Sequence, residues 1–243
     1  MSEPDHNQGA CSQRAPLSLT DDHIRRVTRC VAGHLHDPAW RLLDDEDLDR
    51  LAARLIGGRS GPIPVFAYGS LIWNPGFAVG ARKRATAPNW HRQFTIPLTH
   101  FRGSPETPGL MLALAAGGQC EGLILEIERG TEAQSLRAIL RRELVAHELA
   151  ANARWIEVET AQGIQEALTF YADPVDIDLE FLPLPEQALR LAHANGPAGS
   201  GSEYLLRTAE GLAAAGIHDA YIWQLQALVA AEIDRWCLVE GAR

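Results

Sequence analysis

Residues 64–73 read Pro-Val-Phe-Ala-Tyr-Gly-Ser-Leu-Ile-Trp, an apolar run that breaks at Gly69-Ser70 and resumes at Leu71. The pattern predicts a strand that ends in a tight turn, because glycine lacks a Cβ and tolerates positive φ. In such a turn, neighbouring backbone N–H groups can point into one concavity, which suits a carboxylate or a developing oxyanion. The same run also fits an ordinary strand end. Other segments of the chain are needed to distinguish an anion-binding turn from an ordinary strand end.

Strand-like segments separated by Pro and Gly clusters dominate the chain after this run. Sequential short strands favour antiparallel pairing, and helical segments close the chain after them. We therefore predict an α+β fold in which a mixed, largely antiparallel sheet curls into a small β-barrel around a pocket, with helices flanking it. A hairpin over residues 155–171 is predicted to turn at Gln162-Gly163. The other predicted strands cover residues 63–68, 79–86, 90–98, 110–115 and 122–128.

One long helix carries the carboxylate on which the functional argument depends. Residues 131–151 show helical spacing, with a buried stripe formed by Leu136, Ile139, Leu140, Leu144 and Leu149. Glu143 falls beside this stripe rather than opposite it. A surface glutamate on an amphipathic helix fits the same pattern.

Three more helices are predicted to close the chain, over residues 185–195, 203–215 and 220–238.

The first 60 residues are predicted to be an extension ahead of the main domain. The first 17 are polar and uneven, which favours a mobile tail. Two helices follow, the first capped by Thr20 and the second by Asp44, and a Gly-Gly pair stops the second. A connector rich in Pro, Gly and Ser comes next. We therefore predict a tail and helical extension over residues 1–60 and the main domain over residues 61–243.

Composition and charge limit the classes of function. With 46% hydrophobic and 22% charged residues, the chain has the composition of a soluble globular protein. A formal net charge of −9 disfavours nucleic acid and anionic membranes as partners, because both would repel the molecule as a whole. No apolar run reaches the roughly 18 residues of a membrane span, and no signal-peptide pattern is present, so we expect a cytoplasmic protein. The four cysteines are scattered without a Cys-x-x-Cys pair and are expected to be reduced.

Short motifs for metal, nucleophilic and phosphate chemistry are incomplete. His147-Glu148 lacks the second histidine of a zinc-binding His-Glu-x-x-His helix, because Ala151 stands in its place. Ser70 does not lie in the Gly-x-Ser-x-Gly turn of serine hydrolases. The glycine-rich segment 196–201 lacks the Gly-Lys-Ser/Thr ending of a phosphate loop. None of these sites is predicted.

The opening run is one of several short segments that belong together. Residues 65–75 read Val-Phe-Ala-Tyr-Gly-Ser-Leu-Ile-Trp-Asn-Pro, and Arg141-Arg142-Glu143 lies on the long helix. The others are Trp90-His91-Arg92-Gln93-Phe94, residues 102–109 (Arg-Gly-Ser-Pro-Glu-Thr-Pro-Gly), Leu112-Ala113-Leu114, Gly196-Pro197-Ala198-Gly199 and Glu203-Tyr204-Leu205. In kind and in order, these segments resemble those of the ChaC-type γ-glutamylcyclotransferases. Together they cover roughly residues 62–235.

The resemblance implies a γ-glutamylcyclotransferase-like fold and cleavage of glutathione to 5-oxoproline and Cys-Gly, without a metal or organic cofactor. The substrate's own α-amino group attacks its γ-carbonyl, so the protein supplies no nucleophile. Glu143 is implied as the general acid/base, because a buried glutamate with a raised pKa can take a proton from the amine and return one to the leaving group. The implied substrate-binding residues are Val65, Phe66, Ala67, Tyr68, Gly69, Ser70, Leu71 and Tyr204.

The segment after Glu143 departs from the family pattern. It lacks the family's Gly-x-Tyr, and Ala67 and Leu110 stand where a glycine and an arginine are usual. Two alternatives therefore stay open: a cyclotransferase for other γ-glutamyl amino acids or γ-glutamylamines, and a non-catalytic γ-glutamyl-binding protein. Glu148 remains a rival for the base, although no arginine precedes it.

Overall fold

The structure is a computed structural model that describes residues 16–59 and 61–240, with the backbone alone for 237–240. The predicted tail falls almost wholly outside these ranges, as do Cys11 and the side chain of Cys237. The other two cysteines, Cys30 and Cys120, are both unpaired thiols, as predicted.

Five strands close into a barrel, which confirms the predicted α+β class with a curled sheet. The order around the barrel is β1-β3-β2-β4-β5, and a parallel contact between Val65 of β1 and Leu168 of β5 closes it. All other strand pairs are antiparallel. The strands are β1 (Pro64–Ala67), β2 (Val79–Leu98), β3 (Gly109–Ile127), β4 (Ala153–Thr160) and β5 (Gly163–Phe170).

Strands β2 and β3 form one long hairpin where the sequence predicted four shorter strands. The predicted break at Pro88-Asn89 and the Gly117-Gly118 pair do not reverse the chain. Instead they lie opposite each other, because Pro88 pairs with Gln119 and Trp90 pairs with Ala116. Asn89, Gly117 and Gly118 all adopt positive φ there. The residues with turn character therefore form a bulge that bends a continuous hairpin.

The helix that carries Glu143 is shorter than predicted. Helix α4 spans Glu132–Glu143, and a 3₁₀ helix over His147–Asn152 follows it after an extended link. The link is extended because the N-terminal segment pairs with it: Leu43 N–H donates to the Val145 carbonyl at 3.0 Å. The predicted helix over residues 131–151 is therefore wrong at residues 144–146, which are extended, and its last part is a 3₁₀ helix rather than an α-helix.

Helices cover the barrel and share its core. Asp44 caps α2 by accepting from Asp47 N–H at 2.8 Å, and Gly57 ends it in the left-handed region, as predicted. The short strands β6 (Asn195–Gly196) and β7 (Gly199–Ser200) pair with each other. The helices are α1 (Asp21–Val27), α2 (Asp45–Ile56), α3 (Ser70–Trp73), α5 (Leu184–His193), α6 (Gly201–Ala214) and α7 (Ala220–Glu240), in addition to α4.

The N-terminal helices pack into the same core as the barrel. Ile24 and Val27 of α1 and Leu48 and Leu51 of α2 are buried in the cluster that contains the barrel strands. Over the residues described, no helix has both the length and the apolar character needed to cross a bilayer.

Candidate active site

A cavity of about 370 Å³ opens at one end of the barrel, within the size range of small-molecule sites. β1, β2 and β5 end beside it and β3 begins beside it. The C-terminal end of α4 and the first turn of α6 close its sides. Both parts of the predicted site meet here: residues Tyr68 to Leu71 and Glu143 all line the cavity.

The strand that leads into the cavity divides the predicted binding residues between its two faces. Phe66 and Tyr68 line the cavity, as expected for alternate residues of a strand. Val65 and Ala67 are fully buried but do not line it. Their place is in the barrel packing, where Val65 pairs with Leu125 and Leu168.

Gly69 is needed for space rather than for positive φ, which corrects the sequence-based expectation. Its φ is −137°, outside the left-handed region. A Cβ at this position would lie 3.2 Å from Leu112 Cδ2 and 3.3 Å from the Tyr204 hydroxyl. The missing side chain therefore lets the chain pass close to Tyr204. Helix α3 begins at Ser70, and the first N–H groups of a helix have no acceptor within it.

Glu143 is the last residue of α4, and its side chain is only 15% exposed. Burial raises the pKa of its carboxyl group, and the charge of Arg142 acts in the opposite direction. Oε1 lies 3.1 Å from Arg142 Nε, but the two are not aligned as a hydrogen bond. Within the part of the chain that the structure describes, Oε1 is buried without a hydrogen-bond partner. Such an oxygen is a buried acceptor without a donor, on a residue that lines the cavity.

Arg142 joins the end of α4 to the loop after β1. Its Nη2 donates to Ser70 Oγ at 2.6 Å, and Nη1 donates to the Asn74 carbonyl. The sequence prediction quoted Arg142 only as the neighbour of Glu143 and did not count it as a site residue. Its position one residue before the proposed base was the available signal, but its partners lie about 70 residues away.

Three tyrosines lie around Glu143: Tyr68 and Tyr171 are buried, and Tyr204 is half-buried. The Tyr68 hydroxyl donates to the Phe170 carbonyl at 2.9 Å, and the Tyr171 hydroxyl donates to the Glu143 carbonyl. Burial first, and then the nearby charge of Glu143, raises the pKa of Tyr171 above its ordinary value and that of Tyr204 to about 12. These hydroxyls stay protonated at neutral pH, so they act as hydrogen-bond donors rather than as bases.

Tyr171 was not among the predicted site residues. It follows the last strand of the barrel, in the left-handed region at φ 55°, and it lines the cavity. The sequence prediction placed it at the end of a strand without giving it a role. Only the closure of the barrel brings it next to Glu143.

The ring of Tyr204 is held on several sides. Phe94 contacts it edge-on with ring centroids 5.8 Å apart, and Trp73 does so at 6.3 Å. The Arg102 guanidinium lies 5.8 Å from its centroid and pairs with Glu203 at 2.7 Å. Glu203 does not line the cavity, in agreement with its omission from the predicted site.

Glu148, the rival candidate for the base, lies outside the cavity. Its side chain is 38% exposed, and both carboxylate oxygens accept hydrogen bonds from Arg41. Hydrogen bonds from backbone N–H groups and from Arg41 lower the pKa of its carboxyl group, the opposite of what a general base at neutral pH requires. Among the described residues, no group of three or more His, Cys, Asp and Glu side chains is placed to hold a metal ion.

Comparisons with known proteins agree on one family. A family model described as "ChaC-like protein" matches residues 63–232. The glutathione-specific gamma-glutamylcyclotransferase of Escherichia coli K12 is 32% identical over 161 residues, which cover 65% of this chain and 69% of that protein. Glutathione-specific gamma-glutamylcyclotransferase 1 of Danio rerio is 28% identical over 74% of this chain and 94% of its own.

The fold is also similar to that of a solved structure. The crystal structure of the yeast gamma-glutamyl cyclotransferase specific to glutathione superposes with a TM-score of 0.60 at 21% identity. The match covers 71% of this chain and 97% of the yeast chain.

Proposed function

The chain belongs to the ChaC-like protein family, and from this premise we propose that it is a γ-glutamylcyclotransferase that cleaves glutathione to 5-oxoproline and Cys-Gly. Two relatives named for this activity support the proposal, as does a cavity that is lined by both the loop after β1 and Glu143. Small-molecule recognition at this cavity requires neither nucleic acid nor a membrane. A cytoplasmic location remains a prediction from the sequence.

The reaction is an intramolecular ring closure. The nitrogen of the substrate's α-amino group forms a bond to its γ-carbonyl carbon, and the bond from that carbon to the cysteinyl nitrogen breaks. The five-membered ring of 5-oxoproline forms, and Cys-Gly leaves as a free amine. Because an α-amino group has a pKa of about 8, it is mostly protonated at neutral pH and must lose a proton before it attacks.

Glu143 is the proposed general acid/base. The carboxylate takes one proton from the α-ammonium group and gives it to the departing cysteinyl nitrogen. The attacking nitrogen loses a second proton as the ring forms, and this proton passes to water, so the proton count balances. A raised pKa suits both steps, because it brings the proton affinity of the carboxyl group closer to neutral pH. The buried oxygen Oε1 is the acceptor that the ammonium group would satisfy.

The loop after β1 is proposed to hold the γ-glutamyl half in the folded shape. The N–H groups at the start of α3 suit a carboxylate or the oxyanion that develops on the γ-carbonyl oxygen. The Tyr204 hydroxyl, protonated at neutral pH, lies at the cavity wall, and the Tyr68 hydroxyl, whose proton goes to the Phe170 carbonyl, can accept a hydrogen bond from the substrate. Effective molarities of well-oriented ring closures reach about 10⁵–10⁸ M, so orientation is expected to supply much of the rate.

The observation that carries the proposal is that Glu143 lines the cavity together with the loop after β1 and has a buried carboxyl oxygen without a hydrogen bond. The test is to incubate the purified protein with glutathione and to measure 5-oxoproline. We expect product from the wild type and a loss of about 10²–10⁴-fold in Glu143→Gln. Glu148→Gln is the matched control and should keep its activity, because Glu148 lies outside the cavity.

The same assay separates the two alternatives. Product from γ-glutamyl amino acids or γ-glutamylamines, but not from glutathione, would assign the second cyclotransferase activity. Saturable binding of glutathione with no product from any γ-glutamyl compound would assign a binding protein. Unchanged activity in Glu143→Gln would contradict the base assignment.

A further inference from the structure

The N-terminal segment 34–43 runs across the mouth of the cavity. At one end, the His34 carbonyl accepts from Phe101 N–H at 3.4 Å, in the loop after β2. At the other end, Leu43 N–H donates to the Val145 carbonyl at 3.0 Å, two residues after Glu143. This segment precedes residue 63, where the match to the family model begins.

Both ends of the segment 34–43 are anchored by these hydrogen bonds, and the end near Val145, the second anchor, has further contacts. His147 N–H donates to the Arg41 carbonyl at 2.9 Å, and Leu42 forms an isolated antiparallel β-bridge with Ala146. The Arg41 side chain adds an ion pair with Glu148 at 3.3 Å. The N-terminal segment is therefore fixed to the very stretch in which the chain departs from the family pattern.

Between the two anchors, the segment contributes four residues to the cavity lining: Leu35, His36, Asp37 and Trp40. A turn shapes this part, because Asp37 Oδ1 accepts from Ala39 N–H at 2.9 Å and the Asp37 carbonyl accepts from Trp40 N–H at 3.0 Å. We call these four residues the N-terminal wall.

The wall forms the outer end of the cavity. Phe66 and Tyr68 at the inner end are 0% and 8% exposed, whereas Leu35 and Phe101 at the outer end are 51% and 39% exposed. A γ-glutamyl half held by the buried loop and Glu143 would direct its other half towards this exposed end. The leaving amine must also depart through it.

We propose that the N-terminal wall binds the amine half of the substrate and so selects which γ-glutamyl compound this chain cleaves. The inference rests on the proposed cyclotransferase function and extends it to substrate choice. Leu35 and Trp40 offer apolar contact that suits a cysteinyl side chain, a small apolar group. His36 offers ring nitrogens that can hydrogen-bond the carboxylate at the far end of Cys-Gly.

The test compares a substrate that reaches the wall with one that does not. Glutathione carries a dipeptide as its amine half, whereas γ-glutamylmethylamide carries only a methylamine. We expect Leu35→Ala to lower kcat/KM for glutathione roughly tenfold, mainly through KM, as for lost apolar contacts in a pocket. The loss for the methylamide should be smaller, so that the preference for glutathione falls.

Leu42→Ala is the matched control. Leu42 lies in the same segment and is 57% exposed, but it does not line the cavity. This variant should keep the wild-type preference. Equal losses for both substrates in Leu35→Ala, or no loss for glutathione, would overturn the role of the wall.

Calorimetric binding keeps the two proposals distinguishable. 5-Oxoproline lacks the amine half, so Leu35→Ala should weaken the binding of glutathione to the Glu143→Gln protein and weaken that of 5-oxoproline less. If the wild type forms no 5-oxoproline from any substrate, the cyclotransferase proposal fails, and the binding comparison still decides about the wall. If glutathione binds equally well to the Glu143→Gln protein and to the double variant that also carries Leu35→Ala, the wall proposal fails and the cyclotransferase proposal is unaffected.

Discussion

Arg92 holds the carbonyl oxygen of Tyr68 through a hydrogen bond of 3.0 Å from Nε, inside the barrel. Arg92 is 2% exposed, and its other two nitrogens donate to Asp219 and to the Glu121 carbonyl. One guanidinium thus fixes the residue before Gly69 and ties the barrel to the start of α7. Its role is to position the loop that the substrate is proposed to contact.

Removing this guanidinium should destabilise the fold. Arg92→Ala removes the ion-pair partner of Asp219 and the donor to two carbonyls, and breaking a buried ion pair costs about 3–5 kcal/mol. We expect the free energy of unfolding in urea to fall by that amount. Arg84→Ala is the control, because its ion pair with Glu121 is exposed and such pairs contribute about 0–1 kcal/mol. A loss in Arg92→Ala no larger than in Arg84→Ala would contradict the expected contribution of Arg92 to stability.

Arg142 should position the loop rather than support the fold. In Arg142→Ala, Ser70 Oγ and the Asn74 carbonyl lose their donor, and the loop is free to shift relative to Glu143. A misplacement of about 1 Å can cost about 10² in rate, so we expect a loss of that order in kcat/KM.

Arg141→Ala is the matched control for Arg142→Ala. Arg141 is the neighbouring residue on α4, and it pairs with Asp45 on the protein surface. Activity and stability should both stay close to wild type in this control. An Arg142→Ala enzyme as active as Arg141→Ala would show that the loop does not need this anchor.

Much of this site could be predicted from the sequence because its pieces are local. The break at Gly69-Ser70 and the Arg-Glu pair lie within short segments whose order along the chain carries the resemblance. The caps at Asp44 and Gly57 are also local, and both were predicted. The division into residues 1–60 and 61–243 remains a prediction.

The rest depends on contacts between distant segments. Helix α4 stops at Glu143 because Arg41 to Leu43 pair with the chain after it. These two segments lie about 100 residues apart in the sequence. Tyr171 reaches Glu143 only through barrel closure. The bulge at Pro88-Asn89 could not be told from a turn, because turns and bulges use the same residues.

The pH dependence of activity should follow Glu143. Burial raises the pKa of this carboxyl group, and the group must be ionised to accept the substrate's proton. kcat/KM should therefore fall as pH decreases through that raised pKa, at a higher pH than for a glutamate in water. A profile without an acid limb above about pH 4.5 would place the base elsewhere.

The stability of the fold should depend on the same carboxyl group, but it should fall as pH rises, whereas activity should rise. Because the folded pKa lies above the unfolded one, the unfolded chain binds fewer protons between the two values, and the free energy of unfolding falls as pH rises through that window. Glu143→Gln removes the buried charge, so it should unfold at a higher temperature than wild type near neutral pH. The difference should shrink as pH falls towards about 4, where both side chains are neutral. Equal melting temperatures across this range would mean that Glu143 bears no desolvation cost.

Gly69→Ala tests whether space around Tyr204 matters for the site. The added methyl group would lie 3.2 Å from Leu112 Cδ2 and 3.3 Å from the Tyr204 hydroxyl, so one of them must move. Overpacking of this kind costs about 1–3 kcal/mol, and displacement of Tyr204 should raise KM more than it lowers kcat. Gly80→Ala is the control, because its nearest neighbour would lie at an ordinary 3.4 Å. Steady-state kinetics and urea unfolding of both variants check this, and a Gly69→Ala enzyme with wild-type KM would mean that Tyr204 does not contact the substrate.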